Sequence, residues 1–468
     1  MSLLASNARH VALVQKSLAA GALRAASQPA KAAPKERKAA QSIGGVKKGR
    51  KEKWETKKKQ EKIHKTKDIP RFTRMAETKL MMPKTFQRPA TLPEAFKAGS
   101  GHVLELPLFG RETLVPRNVG KAVSYSDAPN NAAKVFGLPR KMFFEYRILS
   151  SPCSVVRDVT LQAVETLEKA KASSSLDSRI VLHGRAGCGK SFLLHQAVQY
   201  AQAEGWVVFY VPRAASLVNS TTTFAYDLRT QTYLQPHASY RTLDKLFKAN
   251  SALFAKLPMK KALVTEKLNV PAGTTLADLV QIALKDRSAG NSAVVLDALT
   301  SELQAQTQFP VLLAVDDFQA LLQDSSYKDH FLRPIKANHL SLPRLILDFA
   351  SGKRTFAKGA VVTALTNSDT NFNVPLEIQD ALDLPRAHPV SRYQRRDGDV
   401  QGYVHGLTGF KLPDRMSSDE MAGLFSVWKD DMALTTDKYD ELFLSKYVES
   451  DGNPRDFVWK GLLSTFST

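Results

Sequence analysis

A glycine-rich run between two apolar segments limits the possible folds of this chain more than any other pattern. Residues 184–191 read Gly-Arg-Ala-Gly-Cys-Gly-Lys-Ser and fit the pattern G-x-x-x-x-G-K-[ST]. The apolar residues 180–182 before the run predict a short strand, and residues 191–203 after it predict a helix that stops at Gly205. A strand, a glycine-rich turn and a helix in this order predict a phosphate-binding loop in an α/β protein.

The residue types in this run suit a nucleotide and Mg²⁺. Glycines let the backbone approach phosphate oxygens, and the N–H groups of residues 185–191 are predicted to point toward them at the positive end of the helix dipole. Lys190 is predicted to contact the β- and γ-phosphates, and the Ser191 hydroxyl is predicted to bind Mg²⁺. The predicted nucleotide contacts in this part of the chain are Gly184, Arg185, Ala186, Gly187, Cys188, Gly189, Lys190, Ser191 and Phe192.

Further apolar segments extend the predicted sheet and bring two acids to it. Residues 206–211 predict a second strand, which completes a right-handed βαβ unit. Residues 311–315 predict a strand that ends in Asp316 and Asp317, where P-loop nucleoside triphosphatases carry the acid on the Mg²⁺ side. Asp316 is predicted to hold the metal through its water shell. Asp317 occupies the position of a water-orienting catalytic glutamate but is one methylene shorter, which predicts slow or absent hydrolysis.

Two other polar positions leave alternatives open. Residues 359–365 predict a third strand that ends at Thr366 and Asn367, which either contact the γ-phosphate or the attacking water, or belong to a surface loop. Residues 452–457 open a short helix near the C-terminus. Arg455 in that helix either reaches over the nucleotide from a lid or is an ordinary exposed arginine.

The positive charge of the chain is concentrated at its N-terminus. The formal net charge is +21, and residues 1–69 hold 18 Lys/Arg against 5 Asp/Glu. Residues 1–30 combine three basic residues with Leu, Val, Ala and Ser and contain no acid, which is typical of a mitochondrial transit peptide; a disordered Ala-rich tail is the alternative. Residues 31–69 predict either an RNA-facing extension that neutralises phosphates with little sequence choice, or a plain linker.

Composition argues against two classes of protein, those that span a membrane and those built on disulfides. No window approaches the ~18 uninterrupted apolar residues of a membrane span, so no membrane insertion is expected. The two cysteines exclude a disulfide scaffold and fit a reducing compartment.

Residues 70–145, punctuated by prolines, predict an extended docking segment. Residues 146–380 predict the P-loop domain, with a mostly helical insert over 212–310, and residues 381–468 predict a C-terminal helical lid.

These motifs together resemble the mitochondrial small-subunit ribosomal proteins of the death-associated protein 3 type. The resemblance is carried by residues 148–157, 184–191, 217–236, 311–317 and 452–455. It implies an α/β P-loop fold with a mainly parallel sheet, related to the AAA+ and STAND NTPases, that binds GTP or GDP with Mg²⁺ in a mainly structural role. It also implies the mitochondrial matrix as location, with small-subunit ribosomal RNA, other proteins of the small-subunit head and the large subunit as neighbours.

The resemblance extends to individual residues of the site. Gly184, Gly187, Gly189, Lys190 and Ser191 correspond to phosphate and Mg²⁺ ligands, Asp316 to the acid that holds the metal through water, and Arg455 to a residue over the nucleotide. In related NTPases the base lies against the segment before the first strand, so residues 151–157, with Val155, Val156 and Arg157, are the candidate base pocket. The chain has no N-K-x-D tetrad of Ras-like GTPases, so the residues leave ATP and GTP both open.

Two alternative functions remain on sequence grounds. One is an active mitochondrial AAA+-type ATPase, which should carry Glu at position 317 and an arginine that acts on a neighbouring subunit; Arg344 and Arg354 lie in the expected region without a motif. The other is a GTPase assembly factor that binds RNA and leaves the finished subunit.

Overall fold

A computed structural model of the chain describes residues 104–468, apart from 266–267, 286–289, 368–370, 387–388, 392, 432, 435–438 and 467–468. The predicted transit peptide (1–30) and the predicted basic extension (31–69) lie outside the described residues. Residues 70–103 of the predicted docking segment lie outside them as well. These expectations stay predictions.

A parallel sheet forms the centre of the described chain. The strands are β1 Ala122–Ser124, β2 Cys153–Val155, β3 Arg179–His183, β4 Val207–Val211, β5 Ala225–Asp227, β6 Thr232–Leu234, β7 Leu263–Thr265, β8 Leu268–Val270, β9 Val311–Val315, β10 Asp324–Lys328, β11 Pro334–Lys336, β12 Gly359–Ala364 and β13 Thr408–Lys411. Five of them form the parallel sheet, in the spatial order β13-β3-β12-β9-β4. The others pair as two-stranded antiparallel sheets, β1 with β2, β5 with β6, β7 with β8 and β10 with β11.

The composition of the central strands follows from their burial. Every residue of β4, β9 and β12 is buried, and these strands are near-continuous apolar runs because a parallel sheet is covered on its faces. Gly359 pairs with Val311 of β9 at a close approach of the two backbones. A Cβ at Gly359 would lie 1.9 Å from the Val311 carbonyl oxygen, so the register requires glycine there.

Helices pack against this sheet and against one another. They are α1 Ala132–Phe136, α2 Arg140–Ile148, α3 Asp158–Ala170, α4 Lys190–Ala203, α5 Ala215–Val218, α6 Pro236–Phe254, α7 Leu276–Lys285, α8 Ser292–Ala305, α9 Ser341–Ser351, α10 Leu376–Ala381, α11 Gly398–Val404, α12 Ser418–Asp430, α13 Tyr439–Glu449 and α14 Pro454–Asp456, followed by a π-helical turn over Phe457–Leu462. Helix α4 lies on the sheet beside α3, and α6 packs on the edge strand β4 with α7 and α8 against it.

Two hydrophobic clusters stabilise these layers. The larger one contains the sheet and the helices around it. The smaller one joins the C-terminal helices to the segment before α3, because Trp428 and Phe457 pack with Leu104, Leu149 and Cys153. The C-terminal segment contacts the glycine-rich loop through Asn453, and Cys188 of that loop belongs to the larger cluster.

The central elements lie where the sequence predicts them. The predicted α/β class and the parallel sheet are confirmed, and the arrangement is consistent with a P-loop-like fold. The predicted strands 180–182, 206–211, 311–315 and 359–365 correspond to β3, β4, β9 and β12, and the predicted helix 191–203 corresponds to α4. In the 212–310 insert, the predicted helix near 275–286 is α7, and two hairpins accompany it.

One strand of the sheet comes from the C-terminal part of the chain. β13 lies within the segment 381–468, for which the sequence predicts a helical lid, and it pairs in parallel with β3. The segment therefore supplies part of the sheet as well as helices α12 to α14. In the part of the chain that the structure describes, no helix has the length and apolar character needed to cross a membrane.

Candidate nucleotide-binding site

A cavity of about 530 Å³ lies between the glycine-rich loop (residues 184–191), the segment before α3 and the C-terminal helices. This volume is within the range of small-molecule sites. The predicted site residues that line it are Val155, Arg157, Ala186, Gly187, Gly189, Lys190, Ser191, Phe192, Asp316, Asp317, Asn367 and Arg455. Tertiary folding therefore brings together residues from well-separated segments of the sequence.

Four predicted site residues are not in the cavity lining. Cys188 and Val156 are fully buried, and Arg185 forms an exposed ion pair with Asp451 at 3.1 Å. The Gly184 carbonyl oxygen accepts a hydrogen bond from the Lys190 Nζ at 2.9 Å. The contacts that these four residues are expected to make with a nucleotide stay predictions.

The Lys190 ammonium is held inside the glycine-rich loop. It is 7% exposed and donates to the carbonyl oxygens of Gly184 and Arg185, both at 2.9 Å. Burial lowers the pKa of Lys190. A buried cation surrounded by loop carbonyls is a strong attractor for phosphate, because the low local dielectric increases the electrostatic attraction.

The C-terminal segment contacts the loop directly at Gly187. The Asn453 Nδ2 donates to the Ala186 carbonyl oxygen at 2.9 Å, and the Arg455 N–H donates to the Gly187 carbonyl oxygen at 3.3 Å. Gly187 has φ +90°, and a Cβ there would lie 2.4 Å from the Asn453 side chain. Glycine at this position thus permits both the left-handed backbone and the close approach of the C-terminal segment.

Arg157 binds the glycine-rich loop and connects it to a C-terminal helix. Its side chain is buried, donates to the Cys188 carbonyl oxygen at 2.9 Å and forms an ion pair with Glu420 at 3.3 Å. Glu420 lies in the capping box that begins α12, so Arg157 ties the loop to a C-terminal helix. The predicted base-pocket residue therefore has a structural role that its position in the sequence does not indicate.

The acid at the end of β9 is positioned beside the loop and the end of β12. Asp316 is buried; its carboxylate accepts a hydrogen bond from the Asp317 N–H at 2.9 Å and lies 3.4 Å from the Thr366 hydroxyl. Burial, followed by the charge of Asp317, raises the pKa of Asp316, and hydrogen bonding with Ser191 opposes the rise. A buried carboxyl next to the Ser191 hydroxyl is a suitable donor set for the outer shell of Mg²⁺.

The strand-end residues Thr366 and Asn367 lie at the cavity and not in a remote loop. The Asn367 Nδ2 donates to the Gly184 carbonyl oxygen at 3.2 Å. The Gln319 side chain holds the backbone of Thr366 through two hydrogen bonds, to its N–H at 3.1 Å and its carbonyl oxygen at 2.8 Å. Because β12 lies between β3 and β9, these residues stand between the loop and Asp316.

Asp317 also lines the cavity, in an unusual backbone conformation. Its φ of +57° is in the left-handed region, which aspartate tolerates better than most residues. Its carboxylate lies 3.9 Å from the Arg213 Nε. The predicted catalytic role of Asp317 stays a prediction.

The cavity lining also contains an acid that the sequence motifs do not predict. Glu145 of α2 lines the cavity and accepts a hydrogen bond from the Trp459 Nε1 at 2.6 Å. Burial raises the pKa of Glu145 to about 7 from its ordinary value of 4.5. No motif surrounds Glu145 in the sequence, whereas Ser417 and Glu420 do carry a readable signal, the S-x-x-E pattern of a capping box.

Replacing Glu145 with glutamine is expected to change how stability depends on pH. The unfolded Glu145 loses its proton near pH 4.5 and the folded one near pH 7, so this group lowers the free energy of unfolding progressively between those values. In nucleotide-free protein, the free energy of unfolding of Glu145→Gln minus that of wild type should therefore increase by about 1–3 kcal/mol from pH 5 to pH 8. Urea unfolding of both proteins at the two pH values measures this gain. An equal difference at pH 5 and pH 8 would show that Glu145 does not titrate as described.

The sequence matches one protein family over most of this structure. Residues 154–459, more than half of the chain, match the model of the family described as mitochondrial ribosomal death-associated protein 3. The chain belongs to this family. Because the family is mitochondrial and ribosomal, the chain is a mitochondrial matrix protein, as predicted.

Three curated relatives of the chain share the same protein name. It is 24% identical over 344 residues to small ribosomal subunit protein mS29 of Schizosaccharomyces pombe, an alignment that covers 73% of this chain and 71% of the relative. It is also 24% identical to the protein of that name from Neurospora crassa, with 74% and 76% covered, and from Mus musculus, with 50% and 60% covered. The family match starts at Ser154, so it includes the loop, Asp316 and Arg455 but not Glu145.

Proposed function

We propose that this chain is a structural component of the small subunit of the mitochondrial ribosome whose fold is stabilised by a nucleotide and Mg²⁺ in the cavity. Support for the ribosomal role comes from the death-associated protein 3 family and from relatives named as small-subunit proteins. The proposed ligand is GTP or GDP, and the glycine-rich loop by itself would accept ATP as well. The proposal includes a place in the head, near small-subunit RNA, other head proteins and the large subunit.

One observation carries the nucleotide part of the proposal: the P-loop residues and the C-terminal helices share one cavity. Lys190 and the loop backbone would hold the phosphates, and Arg455 would approach them from the C-terminal side. A ligand in this place contacts both hydrophobic clusters, so its binding energy adds to the stability of their contact. Ligand at ~100 times its dissociation constant contributes about 2.7 kcal/mol without any turnover.

The metal part of the proposal assigns Mg²⁺ to Ser191 and Asp316. The Ser191 hydroxyl would bind the ion directly, and Asp316 would hold its water shell. Bound Mg²⁺ would neutralise phosphate charge and compensate the burial of the Asp316 carboxylate. Asn367, which donates to the Gly184 carbonyl oxygen of the loop, would contact the terminal phosphate.

Slow or absent hydrolysis is part of the same proposal. Asp317 replaces the longer glutamate of active ATPases and lies near Arg213. Of the two arginines considered for action on a neighbouring subunit, Arg354 is engaged within its own chain, with Asp297 at 2.6 Å and with Ser301 at 2.9 Å. Both features favour a stabilising ligand over an active AAA+-type ATPase.

Salt-gradient sedimentation of mitochondrial lysate tests the ribosomal role. The protein is expected to sediment with the small subunit at low and at high salt, because a structural component is held by many protein and RNA contacts. A tightly held small-subunit protein in the same gradient serves as the control. Release at moderate salt, while the control stays bound, would contradict a structural role and favour an assembly factor.

A further inference from the structure

The cavity has two chemically different ends. The end near the glycine-rich loop carries Lys190, Ser191 and Asp316, which suit phosphates and a metal. Away from these residues the lining is mainly apolar and includes Met142, Leu149, Met416, Leu424 and Val458, with Arg140 and Lys141 of α2 as its basic members. Apolar side chains of this kind suit the flat faces of a nucleobase. Glu145 is the acid that lines this second end, among the residues that the structure describes.

The backbone of the candidate base pocket is already hydrogen-bonded within the protein. The Val156 N–H donates to the Lys121 carbonyl oxygen, and the Val156 carbonyl oxygen accepts from the Gly120 N–H, both at 2.9 Å. The Val155 carbonyl oxygen accepts from the Gln196 Nε2 at 2.9 Å. Because these backbone groups already have partners, a side chain is the better placed group to recognise a base at this segment.

Glu145 presents a free acceptor to the cavity. Its Oε1 accepts the Trp459 hydrogen bond at 2.6 Å, which fixes the carboxylate. Within residues 104–468 as described, Oε2 has no hydrogen-bond partner and no cation lies within 4 Å of the carboxylate. Burial raises the pKa of Glu145 to about 7, because the Trp459 hydrogen bond and the nearby charge of Lys141 compensate only part of the cost of burying the carboxylate. A ligand that offers N–H donors would supply the rest of that compensation.

From this geometry we infer that Glu145 recognises the base of the bound nucleotide and selects guanine over adenine. The inference rests on the proposed nucleotide site. Guanine offers two adjacent donors, N1–H and the 2-amino group, which a carboxylate oxygen accepts together. Adenine offers an acceptor, N1, at the corresponding place, and an acceptor facing the ionised carboxylate, the form of Glu145 above its pKa of about 7, leaves both without a donor. The preference for guanine thus arises without an N-K-x-D tetrad.

Competition among GTP, ITP and ATP tests this inference, because the three share identical phosphates. Nucleotide-free full-length protein is titrated with each at fixed Mg²⁺. Wild type is expected to bind GTP most tightly, ITP less tightly because inosine lacks the 2-amino group, and ATP least. In Glu145→Gln the amide N–H₂ would face the base, so the affinity for GTP should fall about 10- to 100-fold. The same variant should bind ATP with unchanged or higher affinity, and its affinities for GTP and ITP should be equal.

Two control variants separate the inference from the proposed function. Glu165→Gln removes an exposed acid of α3 that pairs with Lys169, and should bind all three nucleotides like wild type. Lys190→Ala should lower the affinities for GTP, ITP and ATP by the same factor. Equal binding of GTP and ATP by wild type, or one common loss for all three in Glu145→Gln, would overturn base recognition by Glu145. Failure of wild type to bind any of the three would instead overturn the proposed nucleotide site.

Discussion

Lys190→Ala is expected to lower the nucleotide content of the purified protein, its thermal stability and its incorporation into the small subunit. The variant loses the buried ammonium that lies within the glycine-rich loop. Without bound ligand, the protein loses the contribution of about 2.7 kcal/mol that a ligand at ~100 times its dissociation constant provides. For a domain of this size the melting temperature should fall by roughly 5 °C.

The measurement combines nucleotide extraction with thermal unfolding in the presence and absence of added GTP and Mg²⁺. Wild type should be stabilised by the addition, and Lys190→Ala should not respond. Lys169→Ala is the matched control, because Lys169 is exposed and its ion pair with Glu165 contributes little. A Lys190→Ala variant that assembles into the small subunit at the wild-type level with no nucleotide bound would refute the stabilising role.

Arg157→Ala is expected to lower the free energy of unfolding by about 3–5 kcal/mol, because it leaves the buried Glu420 carboxylate without its cation. The variant also loses the hydrogen bond to the Cys188 carbonyl oxygen, so the glycine-rich loop loses its link to α12. Nucleotide affinity should fall as well, since the loop is then held less firmly. Urea unfolding of nucleotide-free protein measures the first effect, and titration with GTP measures the second.

Two comparisons separate this ion pair from general damage. Arg185→Ala breaks an exposed ion pair with Asp451 near the same loop and should cost less than about 1 kcal/mol. Arg157→Met combined with Glu420→Gln removes both charges while the glutamine still accepts from the Asp158 N–H, so part of the lost stability should return. If the double variant is as unstable as Arg157→Ala, the unpaired charge is not the cause.

The proposed phosphate-binding residues can be predicted from short stretches of sequence. The run 184–191 lies between an apolar strand and an apolar helix, and Asp316 directly follows an apolar strand. These signals span a few residues each, and parallel strands bring their carboxyl ends to one edge of a sheet. Local pattern and one topological rule are therefore sufficient to predict that Lys190, Ser191 and Asp316 line one cavity.

The rest of the site depends on contacts between distant parts of the chain. Trp459 contacts Glu145 across 314 positions, Glu420 contacts Arg157 across 263, and Asn453 contacts Ala186 across 267. Such pairs leave no periodicity and no fixed spacing, because their residues are neighbours only after the C-terminal helices pack onto the glycine-rich loop and onto the segment before α3. The local sequence thus determined where the proposed phosphate-binding residues lie, whereas packing of the C-terminal helices against distant parts of the chain determined which side chains line the rest of the cavity.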